Sequence, residues 1–313
     1  MSIKFCFIAR GIMGKIVIFY YALLIFSSFN SNGQIINKTA EKAFENGVEA
    51  FENKDFNSAI INYTKAIELD PKYAQAFKRR GNVYLKLEKY HEAISDFTMV
   101  IELTPKYAVA FKIRGDAFRD QQKYTEAIAD YTKAIEINSE FAAAFNNRGA
   151  LYHDQQKYIE AIADYTKAIE LDPAYAIAFN NRGVSYSDQR KYTEALVDYT
   201  RAIELDPKLT IAYHNRGKDY KKLRKYAESV ADYDKVIELD PKNASAFNSR
   251  GNALAEQWDN EKKAIADYTK AIELDTAYAA PFYNRGIIYN KLGKVLVHSI
   301  FVGAALRKKQ RLL

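Results

Sequence analysis

Apolar positions in this chain fall on short helical stripes. Across residues 142–152 they are Phe145, Gly149 and Tyr152, the i, i+4, i+7 spacing of a single helix face, and across 158–168 they are Tyr158, Ala161, Tyr165 and Ala168, again at helical spacing. Polar residues such as Asn146, Asn147 and Asp164 occupy the intervening positions. Each stretch therefore predicts a short amphipathic helix with one buried stripe. Large and small residues alternate on those stripes, so Gly149, Ala161 and Ala168 leave hollows that Phe145, Tyr152 and Tyr165 fill. Pro173 lacks a backbone donor and disfavours helix in the residue before it, which predicts the end of the second helix. The predicted element is a helix, a turn and a second helix.

The same pattern returns every 34 residues. Residues 142–175 and 176–209 are nearly identical, and stepping outward gives copies over 40–73, 74–107, 108–141, 210–243 and 244–278, with a partial eighth over 279–294. A unit that cannot bury its own apolar stripe must stack on its neighbours, so the period predicts an array. The first copy reads as an amino-terminal cap: Ala50 stands where later copies have Tyr, Phe or Leu, and Asn46 and Asn62 replace an Arg and an Asp. Ser139 and Thr276 replace the proline of the third and seventh copies, which predicts softer helix ends there. The seventh copy is 35 residues long, with Trp258 in its turn and one extra residue between Gly251 and Ala264. An insertion in a turn leaves the register intact.

The motif Phe145-x2-Arg148-Gly149-x2-Tyr152, then Ala161-x3-Tyr165, then Pro173 resembles the tetratricopeptide repeat, whose pattern is W-x2-L-G-x2-Y, A-x3-F and P. The departures are Phe for Trp and Arg for Leu. The resemblance implies an all-α, right-handed superhelical solenoid of antiparallel helix pairs, whose first helices line a concave groove for a protein or extended peptide. It implies no cofactor and no chemical step.

Charge changes this picture little. The net charge is +7, but residues 1–33 hold Lys4, Arg10 and Lys15 without an acid, and residues 294–313 hold Lys294, Arg307, Lys308, Lys309 and Arg311 without one. Taking those eight from the 46 basic residues leaves 38 against 39 acidic ones over 34–293, a net of −1. A nearly neutral array is no platform for nucleic acid. Cys6 is the sole cysteine, so no intrachain disulfide and no cysteine metal site can form. His91, His153, His214 and His298 occupy four different repeat positions, so no helix carries paired histidines at metal-ligand spacing. The glycines recur singly as packing residues, and neither a phosphate loop nor a G-x-S-x-G elbow is present. These features predict a non-enzyme without metal or cofactor.

Two polar patterns remain. Arg recurs at repeat position 7 with Asp at position 23: Arg80 with Asp96, Arg114 with Asp130, Arg148 with Asp164, Arg182 with Asp198, Arg216 with Asp232 and Arg250 with Asp267. In the first copy both switch together to neutral Asn46 and Asn62, which predicts that the two side chains meet between the helices. The second pattern is a ladder at positions 5 and 6: Asn146 and Asn147, Asn180 and Asn181, His214 and Asn215, Asn248 and Ser249, and Asn284. An amide both donates and accepts, so a row of them suits the backbone of an extended peptide, and Asn146 and Asn147 read as the residues of their unit free to recognise a ligand. A solvated helix face copied by duplication is the competing reading. The resembled family also clamps terminal carboxylates with Lys and Asn on successive first helices. Lys78 and Asn82 match the first part of that clamp, and Ile113 stands where an Asn is wanted, so chaperone-tail binding is not expected.

The two ends differ from the array. Lys15 precedes the apolar run Ile16–Phe26, followed by polar residues and a small-x-small pattern at Ser31 and Gly33, which predicts a signal peptide over 1–33 cleaved before Gln34 and a polar lead-in over 34–39. An uncleaved anchor is the alternative, for which the run is short, and a buried helix is the third reading. Met13 is a second possible start. Either of the first two readings places the array outside the inner membrane, periplasmic or extracellular. At the other end VLVHSIFVGAAL, residues 295–306, and the basic close to residue 313 replace the usual second helix. This segment reads as a degenerate capping helix, a membrane-surface tail or a shifted reading frame. The chain as a whole is expected to be an exported module that binds a protein or peptide in its groove. The alternative is an envelope scaffold acting through the array edges and the carboxy-terminal tail.

Overall fold

A computed structural model of the chain describes residues 38–257 and 259–292. The expected signal peptide, lead-in residues 34–37, Trp258 and the segment 295–313 lie outside the described residues. Residues 38 and 39, read as lead-in, are already helical.

All regular structure among the described residues is α-helix. Helix α1 spans 38–52. The pairs that follow are α2 (Phe56–Leu69), α3 (Ala74–Lys86) with α4 (Tyr90–Leu103), α5 (Ala108–Asp120) with α6 (Tyr124–Ile137), and α7 (Ala142–Asp154) with α8 (Tyr158–Leu171). Then come α9 (Ala176–Asp188) with α10 (Tyr192–Leu205), α11 (Thr210–Lys222) with α12 (Tyr226–Leu239), α13 (Ala244–Leu254) with α14 (Glu261–Leu274), and α15 (Ala279–Lys291). The chain divides between Ser139 and Glu140 into two compact units, one holding α1 to α6 and the other α7 to α15.

In the first unit α3 packs on α4, α5 on α6, and each pair on its neighbour through α2 against α3 and α4 against α5. Its core includes Phe97 and Val100 with Phe77 and Ala110. Phe44 of α1 packs where the first pair meets α3, with its ring 5.6 Å from Tyr63 and 5.1 Å from Tyr73.

The second unit repeats this scheme four times and ends on α15. Its first helices also touch their counterparts, α7 against α9, α9 against α11, α11 against α13 and α13 against α15. The second helices have no comparable contact, so within this unit the first helices line the inner side of the curve.

Small residues on the stripes set the approach within a pair. A Cβ added at Gly183 would stand 2.7 Å from the Tyr199 ring, closer than any real contact, so glycine is what allows α9 to lie against α10. Between the helices of a pair one residue takes the left-handed conformation, for example Gln156 at φ 60°. It lets Lys157 N–H reach back to the Tyr152 carbonyl at 2.8 Å, which closes the end of α7.

The second helices end at the same repeat position with or without proline. α8 stops at Leu171 before Asp172 and Pro173, and α14 stops at Leu274 before Asp275 and Thr276. The capping aspartate holds both turns: Asp172 Oδ1 accepts from Ala174 N–H at 3.0 Å and Asp275 Oδ1 from Ala277 N–H at 2.9 Å. At the seventh copy the aspartate cap thus closes the turn without a proline; at the third, where Ser139 replaces proline, the cap is Asn138. The insertion in the seventh copy goes into the connection between the helices, because α13 stops at Leu254, 11 residues long where its equivalents have 13, and α14 begins at Glu261.

Candidate functional site

The position-7 arginines lie between the helices of each pair. Arg182 Nε donates to Asp198 Oδ2 and Nη2 to Oδ1, both at 2.8 Å, and Arg148 meets Asp164 with the same two distances. The carboxylate hydrogen bonds hold the guanidinium groups of Arg148 and Arg182 above their ordinary pKa, against the cost of burial. Each arginine also lies over the position-4 ring, with the Arg182 guanidinium carbon 5.7 Å from the centre of Phe179 and that of Arg148 5.7 Å from Phe145.

A third partner was not read from the sequence. Arg182 Nη1 donates to Thr166 Oγ1 of the preceding copy at 3.0 Å, as Arg80 does to Thr64 at 2.8 Å and Arg216 to Thr200 at 3.0 Å. Arg therefore ties its own pair together and also ties that pair to the one before. At the one copy where the threonine is replaced, Asp234 takes the same role at 2.6 Å, so Arg250 is shared by two carboxylates, Asp234 and Asp267. The signal was available as a recurring Thr at position 25. In the first copy Asn62 donates to its own helix at Ser58 O, 2.9 Å, in place of a cross-helix bond.

The amide ladder is brought together across copies. Asn215 Nδ2 donates to Asn180 Oδ1 at 3.0 Å and Asn180 Nδ2 to Asn181 Oδ1 at 3.2 Å. Asn181 Nδ2 then donates to Asn146 Oδ1 at 3.1 Å and Asn146 Nδ2 to Asn147 Oδ1 at 3.2 Å. Five amides on α7, α9 and α11 thus form one directional chain. Asn146 is 6% exposed, Asn180 5% and Asn248 5%, so these three are buried and committed to neighbours. Asn147, Asn181 and Asn215 are partly exposed on the inner side. Of Asn146 and Asn147, the reading of both as recognition residues fails for Asn146, because successive helical residues lie about 100° apart and it faces the seam between copies.

Farther along, Asn284 Nδ2 donates to Asn248 Oδ1 at 3.0 Å and to Asn252 Oδ1 at 2.9 Å, and Asn248 Nδ2 to Tyr278 Oη at 3.1 Å. His214 interrupts the row. Its ring stands edge-on to Tyr233 at 5.4 Å, and burial together with Lys218 pushes its pKa down. Of the partial clamp, Lys78 lies 5.7 Å from the Tyr107 ring, and burial lowers its pKa.

Helix α11 departs from its neighbours. Repeat position 10 is a buried apolar residue at Val83, Ala117, Leu151 and Ala253 and a small buried serine at Ser185, and is the ionisable Asp219 in α11, 1% exposed. Asp219 Oδ1 accepts from Ser187 Oγ at 2.8 Å, while Oδ2 has no hydrogen-bond partner. Burial lifts this carboxyl above the ordinary range, with the Ser187 bond and Lys218 pulling the other way and Asp188 adding to the rise. Above it α11 carries Lys218 and Lys222, both exposed, and Lys221, half-buried. Among the described residues no group of His, Cys, Asp or Glu side chains is arranged to hold a metal ion.

The repeat is matched by a family model described as TPR repeat over residues 47–88, 115–156, 149–189 and 217–257. Two further models described as tetratricopeptide repeat match 74–107 with 176–209, and 244–278. The chain belongs to the tetratricopeptide repeat family.

Solved structures agree with this. A tetratricopeptide repeat protein from Parabacteroides merdae is 21% identical, with a TM-score of 0.62 over 81% of this chain and 100% of that one. YrrB, titled a TPR protein with an unusual peptide-binding site, is 26% identical, with a TM-score of 0.51 over 60% of this chain and 96% of that one. The MamA protein is 25% identical, with a TM-score of 0.51 over 55% of this chain and 93% of that one. No curated protein matches the chain.

Proposed function

We propose that this tetratricopeptide repeat protein is a non-catalytic interaction module that binds an extended peptide segment of a partner protein along the inner side of its second unit. The observation that carries the reading is the ladder geometry. Asn146 and Asn180 hold Asn147, Asn181 and Asn215 in fixed orientation on the exposed side of three successive first helices. An Nδ2 group has two protons, so Asn181 and Asn215 each spend one on the ladder and keep a second for a backbone carbonyl. Ile177 and Ile211, 48% and 50% exposed on the same helices, add apolar area beside them. The peptide-binding site named for YrrB supports the same kind of occupant. Binding would be presentation of a preformed surface, which keeps the ordering cost low.

We further propose that the array works outside the cytoplasm, on the strength of the sequence pattern at residues 1–33. The groove reading is tested by affinity capture of partners with the full chain and with Asn147, Asn181 and Asn215 all changed to Ala. Loss of a partner with the triple variant is expected. A partner retained by that variant and lost only on deleting residues 295–313 would instead place binding in the carboxy-terminal tail.

A further inference from the structure

We infer that α11 supplies an anion-binding subsite in this groove, where Lys218, Lys221 and Lys222 take a carboxylate or phosphate side chain of the bound peptide. The inference rests on the groove reading and names the chemistry of its occupant.

The first argument is the comparison of α11 with its near-copy α9. AIAFNNRGVSYSD becomes TIAYHNRGKDYKK, so Val184, Ser187 and Asp188 correspond to Lys218, Lys221 and Lys222. The same positions are Ala150, His153 and Asp154 in α7. Position 13 is also Lys at Lys86 and Lys291, but the full triplet stands in α11 alone, so it is not a by-product of duplication.

The second argument is pairing. Lysines on the second helices sit with a glutamate three residues on, as Lys167 does with Glu170 at 3.1 Å and Lys235 with Glu238 at 2.6 Å. Among the described residues Lys218, Lys221 and Lys222 form no ion pair; Glu256 attracts Lys221 without reaching it. Asp219, buried beneath them, attracts Lys218 and Lys222 without forming an ion pair and bonds to Ser187 through Oδ1.

The third argument is space. The three lysines line a cavity of about 260 Å³ with His214, Ser249 and Asn252. Asn252 Oδ1 is taken by Tyr268 Oη and Asn284 Nδ2, both at 2.9 Å, so what Asn252 has left to offer is its N–H₂. Burial pushes the Lys221 ammonium below its ordinary pKa, and an anion beside it would offset that loss of solvation. An anion in the cavity would gain charge-assisted bonds from the lysines and a neutral donor from Asn252. A cavity lined from three helices, α11, α12 with Tyr233, and α13, suits a side chain better than a flat lipid surface.

The test is selection of binders from a random peptide display library on the full chain, followed by fluorescence anisotropy of the recovered peptide in glutamate and phosphoserine versions. Acidic peptides are expected to dominate. Their affinity should fall about tenfold or more when Lys218, Lys221 and Lys222 are all changed to Gln, and stay unchanged when Lys167, Lys235 and Lys270 are. The tighter of the two versions identifies the anion as carboxylate or phosphate. Circular dichroism melting checks that both variants fold. Peptides without acidic bias, or an equal loss in both triple variants, overturn the inference and leave the groove reading standing. Recovery of no peptide at all sinks both. Binding to phosphatidylserine vesicles that disappears with the first variant, without peptide recovery, would make the occupant a membrane and overturn it as well.

Discussion

Changing Arg182 to Met tests whether the position-7 arginine belongs to the scaffold. Met keeps much of the aliphatic stem and removes the guanidinium. Asp198, 3% exposed, would then lose both of its 2.8 Å bonds, and Thr166 would lose its link to the next copy. Two charge-assisted hydrogen bonds at roughly 1.5–3 kcal/mol each bracket the direct loss. Breaking a buried pair by removing one partner costs about 3–5 kcal/mol, which falls inside that bracket. We therefore expect Arg182→Met to destabilise by about 3–5 kcal/mol. Adding Asp198→Asn removes the stranded charge and leaves a neutral pair, as the first copy has a neutral pair at Asn46 and Asn62, so the double variant should regain about 2 kcal/mol or more.

The measurement is a double-mutant cycle by urea denaturation, read alongside amide exchange of α9 and α10, because an array loses stability segment by segment. If Arg182→Met costs the same in the Asp198→Asn background as alone, the pair does not act as a unit and the argument fails.

Two further expectations concern other parts of the chain. The raised carboxyl pKa of Asp219 means that the folded state holds its proton more tightly than the unfolded one, so this residue's contribution to stability falls as pH rises from the ordinary carboxylate range through the raised value. Asp219→Asn should therefore stabilise the protein by roughly 1–2 kcal/mol at pH 7, with the gap to wild type closing as the solution is acidified; a lower melting temperature at pH 7, or a gap independent of pH, counts against this. Mass spectrometry of the mature protein should find Gln34 at its amino terminus, and an intact Met1 or Met13 would exclude cleavage.

The sequence by itself determined the period, the paired helices and the arginine–aspartate partnership. Each of these is written in local spacing or in the joint switch to Asn46 and Asn62. A helix stripe repeats every few residues along the chain, and a 34-residue period is visible without knowing where any atom lies.

What the tertiary structure decided is how neighbouring copies meet. The bond from Arg182 to Thr166 and that from Asn181 to Asn146 join residues 16 and 35 apart, and both cross from one copy to another. Sequence spacing places Asn146 and Asn147 side by side, yet the helix turns one into the seam and leaves the other toward the groove. The same applies to α11, where a polar change at a stripe position buried Asp219 and changes on the next face left Lys218, Lys221 and Lys222 at the rim of a cavity. Which side of a helix meets a neighbour depends on the angle between stacked pairs, and that angle comes from packing across copies rather than from any residue's local preference.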